Sequence, residues 1–205
     1  EEKETGIKIG TLGIDLTSEG PINKEKGSSF LINYRYSVVG LARLIGYPTQ
    51  PTYQDLSFVL DFPKKNGSFK VFGLAGTSDR KRIAVPDSTV WEGDIDRYNL
   101  FLRGDMATIG LSYKHLLNQK TNWKLSLLGS SYRQADNRNF LQSDYSEIIR
   151  NKNEYTSSPI SAAFSIKHRF SGRLRMKSGI STEWAYHDWE VLKYNFDFDQ
   201  LDTTV

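Results

Sequence analysis

Three histidines, His115, His168 and His187, are the side chains in this sequence best suited to moving protons near neutral pH. Catalysis would need one of them beside an Asp or Ser from a neighbouring strand. His187-Asp188 is the nearest such pair, but sequence neighbours on a strand point to opposite faces. A surface or interfacial position is therefore favoured for each histidine, and no catalytic residue is assigned. Glu92, Asp94 and Asp96 form an acidic run, EGDID, with the chemistry to hold Ca²⁺ but not the spacing of a calcium loop. A solvated loop is favoured, and no metal is assigned. Gly10-Thr11-Leu12-Gly13 is not followed by the Lys-Ser/Thr of a phosphate loop. Trp91, Tyr98, Trp184 and Trp189 offer rings for sugar stacking or for a lipid interface. Trp184, Tyr186 and Trp189 suit the interface. Trp91 lies in a long polar stretch and is the residue assigned to ligand contact. With no cysteine, the chain has neither disulfides nor thiolate chemistry. No cofactor and no enzyme activity are expected.

The elements that must carry these residues are strands. In Ser28 to Tyr36, Phe30, Ile32, Tyr34 and Tyr36 fall on one side of an extended chain, and Leu31, Asn33 and Arg35 on the other. The same alternation returns in Tyr53 to Phe62, Ser68 to Gly76, Met106 to Leu116, Trp123 to Arg133 and Pro159 to Phe170. A long strand begins after Ser171-Gly172, and Gly6 to Leu16 is strand-like with weakening glycines. About eight main strands are expected, in an all-β antiparallel up-and-down meander. Thr17 to Gly27 reads as turn chemistry, and residues 38–45 as a short helical turn before Pro48 and Pro51. The tail from Asn195 to Val205 is left unassigned.

Connection lengths alternate. Short turns are expected at 63–67, 117–121 and 171–172, and long polar loops at 37–52, 77–105 (with strand character in Arg97 to Arg103) and 134–156. Up-and-down pairing puts each set at its own end, as in outer-membrane barrels. The second face is strongly polar. Lys167, Arg169, Arg173, Arg175, Lys177 and Glu183 on one face suit a wide, wet lumen, or one solvated face of a soluble sheet. Arg35 and Asp61 are assigned to a charge network on that face.

The 205 residues are enough for one domain or two small ones, and one is expected. No apolar run approaches the roughly 20 residues of a membrane helix. Aromatics are plentiful, with 11 Tyr and 11 Phe, which suits strands and interfacial girdles. A net charge of +3, interspersed, gives little support for nucleic-acid binding.

The run LGIDLTSEGPINKEKGSSFLINYRYS, Leu12 to Ser37, resembles the start of the barrel in TonB-dependent outer-membrane receptors of the Bacteroidetes type. YQDLSFVLDFPKKNGSFKVFGLAG, Tyr53 to Gly76, is similar to the hairpin that follows it there. The resemblance implies a 22-stranded barrel around an N-terminal plug, in the bacterial outer membrane, importing a bulky nutrient. It implies as partners outer-membrane lipid, the plug domain and remaining barrel strands of the same protein, and TonB acting through an N-terminal region. The strands counted here correspond to the front third to half of such a barrel, without its plug. The alternative is a soluble antiparallel β-sheet ligand-binding domain. A third reading, an outer-membrane β-barrel enzyme, would need a His-centred polar cluster.

Overall fold

The computed structural model describes residues 2–37, 39, 51–195 and 200–204. Ten strands pair in sequence order into one antiparallel sheet. They are β1 (Glu4–Ile9), β2 (Gly13–Asn23), β3 (Ser28–Ser37), β4 (Thr52–Lys64) and β5 (Gly67–Arg82). Then follow β6 (Tyr98–Asn118), β7 (Thr121–Leu141), β8 (Glu147–Arg169), β9 (Arg175–Asn195) and β10 (Gln200–Thr204). Each strand bonds only to its chain neighbours, so β1 and β10 are the two edges of an open sheet. Seven of the eight expected strands are β3–β9, and the eighth, expected over 6–16, becomes β1 and the start of β2. The short edge strand β10 lies in the tail left unassigned.

The differences lie in the extents. The single strand expected over 6–16 is split by the Gly10 to Gly13 reversal, where Gly10 N–H donates to Gly13 O at 2.9 Å. Thr17 to Asn23 is strand, not turn, and only residues 24–27 turn. Pro21 is tolerated beside Gly20, whose φ of 158° lets the chain bulge between Pro21 and Asn23. The polar stretch 134–156 is mostly strand and 77–105 about half strand, which leaves connections of 83–97 and 142–146 only. They are polar on both sides because both sides are solvated there, so polarity alone mimics a loop. Arg173 and Leu174 lie in the turn before β9 rather than on it. The helical turn expected within 38–45, and nearly all of the loop 37–52, fall outside the described residues.

Register keeps the two faces separate across the whole sheet. Ile109 opposes Gly73 and Gly129, Leu111 opposes Val71 and Leu127, and Tyr113 opposes Phe69 and Leu125. Directly opposed residues share a face. One face therefore carries Ile14, Ile32, Phe58, Val71, Leu111, Leu127, Phe164 and Ile180, and the other Asp15, Asn33, Ser57, Ser112, Ser126 and Ser161. On β6 the apolar run spans Ala107 to His115, nine residues by number. That matches the roughly 9–11 that cross a bilayer when tilted. The next residue up on this face is Asp105.

This apolar face has nothing packed on it. Ile180 is 74% exposed and Trp184 67%, and among the described residues Ala84 is the one buried hydrophobic side chain. The accessible surface is 14417 Å². A compact protein of 23.4 kDa exposes about 9,700 Å², so this sheet exposes about half as much again.

Glycine opposite an aromatic ring is a recurring device. Phe58 lies over Gly73 on the apolar face, and Phe72 lies over Gly110 on the polar face. A Cβ at Gly110 would enter the Phe72 ring, whereas one at Gly93 meets nothing within 4 Å. Gly110→Val is expected to lower the unfolding free energy by about 1–3 kcal/mol. Gly93→Ala is expected to change it by less than about 0.5 kcal/mol. Denaturant midpoints of the two variants check this.

Candidate functional site

The turns at 24–27, 65–66, 119–120 and 170–174 share one end of the sheet. The connections 83–97 and 142–146 share the other. Site residues expected from sequence are divided between this loop end and the polar face.

At the loop end Trp91 is a clamp. Its indole N–H donates to Val85 O at 2.8 Å, and its ring lies 6.4 Å from Tyr145. The Arg97 guanidinium sits 4.9 Å from the Trp91 ring centroid and 4.1 Å from that of Phe140, and Arg97 Nε donates to Leu141 O at 3.1 Å. Ser88 Oγ and Tyr145 Oη are 2.8 Å apart. Tyr145 adopts a left-handed φ of 66°, which costs a non-glycine residue about 1–3 kcal/mol unless its surroundings fix it. Here Trp91 and Ser88 fix it. Trp91 is half-buried and already engaged on ring and N–H, so it ties two loops together and offers only part of one face to a ligand. Tyr98, the other loop-end ring, packs edge-on against Phe140 at 5.2 Å.

The acidic run is also structural. Asp96 pairs with Arg82 at 3.3 Å and accepts from Glu92 N–H at 3.0 Å. Among the described residues no group of three His, Cys, Asp or Glu is placed to hold a metal ion.

On the polar face the charges are paired across strands. Arg35 bridges Asp55 at 3.0 Å and Asp15 at 3.9 Å. Lys70 meets Asp61 at 2.8 Å, and Ser68 donates to the same carboxylate. Ser161 donates to Glu183 at 2.8 Å. Lys167 opposes Lys177, and Arg169 opposes Arg175, so this face becomes cationic toward the turn end.

The histidines each face a hydroxyl. His115 Nδ1 lies 3.3 Å from Tyr113 Oη, and His168 Nδ1 lies 2.8 Å from Thr121 Oγ1. Both are on the apolar face at the turn end, among Tyr113, Trp123 and Phe170. His187 is on the polar face, where its ring stacks on Tyr155 and its Nδ1 lies 2.9 Å from Tyr155 Oη. Asp188 points to the opposite face, as alternation requires. Trp184 and Tyr186, expected at an interface, lie on the apolar face toward its loop end. Trp189 does not. Its odd register puts it on the polar face, donating to Asn153 at 2.7 Å.

Sequence reading missed the partners that make these clusters. Tyr145, Arg97 and Phe140 come to Trp91 from a separate loop and from strand ends. The i, i+2 pairs Arg103–Asp105 and Asp136–Arg138 lie in the upper halves of β6 and β7. Above the apolar band, Arg133 binds Glu154 at 3.0 Å and Thr77 donates to Asp105 at 2.6 Å.

No family model, no curated protein and no solved structure matches the chain.

Bonds from Arg103 and then Thr77 hold the Asp105 carboxyl below its ordinary value, and a bond from Arg133 does the same for Glu154. Groups lowered in the folded state add stability above their unfolded value, near pH 4, and lose it as pH falls through the folded value. Denaturant midpoints should therefore change little from these groups between pH 7 and 5 and fall below about pH 4. An Asp105→Asn, Glu154→Gln double variant should show a shallower acid fall. Separately, Trp91→Ala should open both loops to protease, with new cleavages within 83–97 and 142–146 on a peptide map. Cleavage in only the first loop would contradict the clamp.

Proposed function

We propose that this chain forms part of the wall of a transmembrane β-barrel, in a TonB-dependent outer-membrane receptor that imports a bulky nutrient. The observation that carries the reading is the nine-residue apolar band, Ala107 to His115 on β6, continued across neighbouring strands and left without a protein layer. Lipid is the partner such a surface needs. The margins of the band support this. Tyr113, His115 and Trp123 cluster at the turn end, and Tyr34, Tyr36, Trp184 and Tyr186 lie toward the loop end, as interfacial girdles do. The meander with short turns at one end supports it too, as does the resemblance of Leu12 to Gly76.

In this reading the polar face lines a wet lumen. Its Arg35–Asp55 and Lys70–Asp61 pairs stand where a plug domain would rest. The free edges β1 and β10 join the remaining strands of the same protein, because an unpaired edge in lipid leaves backbone groups unsatisfied. The strands β6–β9 reach 21–23 residues and run about 70 Å, well past the bilayer on the loop side. That lifts the clamp around Trp91 clear of the headgroups, where incoming nutrient is met. Energy comes from TonB pulling on an N-terminal region, with no covalent chemistry in the wall.

Two substitutions on opposite faces at one depth test the reading. Leu127→Lys puts a charge in the band and should cost about 2–4 kcal/mol of folding stability in lipid. Ser126→Lys, on the polar face, should stay within about 0.5 kcal/mol of the parent. In brominated lipid, fluorescence of Trp123 and Trp184 should be quenched and that of Trp91 and Trp189 spared, as single-Trp variants report. Equal costs for the two lysines, or no quenching of Trp184, would overturn the reading in favour of a soluble ligand-binding sheet.

A further inference from the structure

Four rings stand on the polar face from the loop-end margin of the apolar band upward, away from the face that would meet lipid. They are Tyr132 on β7, Tyr155 on β8, and His187 and Trp189 on β9, and register puts them on the side of Ser126 and Ser161. The Tyr132 and Tyr155 centroids are 6.3 Å apart, and Tyr155 stacks on His187 at 6.0 Å with 18° between the planes. Trp189 directly opposes Tyr155 and is 57% exposed. Rings grouped on a wet face mark a surface that something covers.

Their polar edges are already engaged. Trp189 Nε1 donates to Asn153 Oδ1 at 2.7 Å, Tyr132 Oη donates to Gln134 Oε1 at 2.8 Å, and Tyr155 Oη lies 2.9 Å from His187 Nδ1. Bonds at the edge fix each ring and leave its face to a ligand. Beside Tyr155 and Trp189 opens a recess of about 260 Å³, lined by these two rings with Gln134, Asp136 and Asn153. The one charged group in that lining, Asp136, is held through both oxygens by Arg138, at 2.9 and 2.8 Å. Arg80 and Lys193, cations of the same face, lie outside it. Gln134 and Asn153 each spend the amide oxygen on a ring and keep two N–H donors.

The lining thus combines flat apolar surface, amide donors and carboxylate acceptors, with no unpaired charge. That set matches a pyranose, whose C–H face lies on a ring while its hydroxyls both donate and accept. A flat aromatic ligand would cover the rings but leave the amides and the carboxylate unmatched. A charged ligand finds no free counter-charge in the lining. At about 260 Å³ the recess is smaller than the roughly 300–1,000 Å³ of sites for drug-sized ligands, so it takes one ring of a longer chain. Tyr132 and His187 give neighbouring units further faces.

We propose that this recess binds one pyranose of a neutral oligosaccharide, with Trp189 and Tyr155 as stacking rings and Gln134, Asn153 and Asp136 as hydroxyl partners. The step from site to nutrient rests on the barrel reading, in which this face lines the lumen and the imported nutrient is a glycan. The recess itself is open to water whether or not lipid covers the opposite face.

The test uses the full-length protein, purified from the membrane or the soluble fraction according to where it is found. Maltohexaose, cellohexaose and mannohexaose are titrated by calorimetry, beside hexagalacturonate as a charged chain. At least one neutral chain should bind with a Kd of about 1 mM or tighter, and tighter than hexagalacturonate. Trp189→Ala should weaken it about tenfold, as loss of a stacked ring implies, and Trp189→Phe should keep most of it. Gln134→Leu leaves the rings in place and should weaken it about fivefold, which keeps the site testable if Trp189→Ala fails to fold. Trp184→Leu, on the same strand but the opposite face, should leave it unchanged. No binding of any neutral chain, tighter binding of hexagalacturonate, or an equal loss from Trp184→Leu would overturn the site. Neutral-chain binding by a protein found only in the soluble fraction would uphold the site and overturn the barrel reading, and glycan import with it.

Discussion

A cross-strand register that holds unshifted through the apolar band is the constraint on which everything else in this molecule depends. Period-2 alternation gives each strand an apolar side and a polar side, but only in-register pairing makes those sides add up. A slip of one residue between any two strands would carry charges such as Lys114 and Lys124 into the apolar face. The irregularities that do occur fall outside the band. The shift between Pro21 and Asn23 and that between Leu116 and Asn118 lie at the turn end, and that between Arg138 and Asn139 lies at the loop end. Pro159 removes a ladder donor at the margin of the band, between the Gly129–Ile160 and Tyr132–Ser157 pairs, without shifting the register.

Held in this way, the sheet is a single layer, and its energetics differ from those of a compact domain. Backbone pairing and cross-strand contacts hold the strands to each other. Burial contributes little within the chain itself, since its large apolar side chains remain exposed on one face. The missing stabilisation has to come from whatever covers that face, which in the proposed reading is lipid. Above the band the same strands carry ion pairs such as Arg133–Glu154 on one face and Asp136–Arg138 on the other.

Much of this was legible in the sequence. The sides taken by Phe30 to Tyr36, Leu56 to Phe62, Ile109 to Tyr113 and Ile160 to His168 follow directly from alternation, and so does the end at which each short turn lies. The upper halves of β5, β7 and β8 were not legible, whereas that of β6 showed strand character in Arg97 to Arg103. In a strand wet on both sides, nothing distinguishes the faces by polarity, so Thr77 to Arg82 or Gln134 to Leu141 looks like loop. The split at Gly10 to Gly13 was hidden by its own glycines, which read equally as a weak strand. Of the site, a charge network on the polar face that includes Arg35 and Asp61 was anticipated, and the histidine surroundings in part. The role of Trp91 was not, because its partner Tyr145 comes from another loop, and no local pattern encodes a contact between loops. Trp189 was misplaced for a simpler reason: its odd position puts it opposite Trp184.

The claim that lipid covers the apolar face is tested most directly by circular dichroism after refolding in detergent, beside a refolding in plain buffer. The account predicts a β-rich species formed only in detergent, whether or not the chain closes on itself. A monomeric, β-rich chain that stays soluble in plain buffer would contradict it, because so large an apolar face cannot remain bare in water.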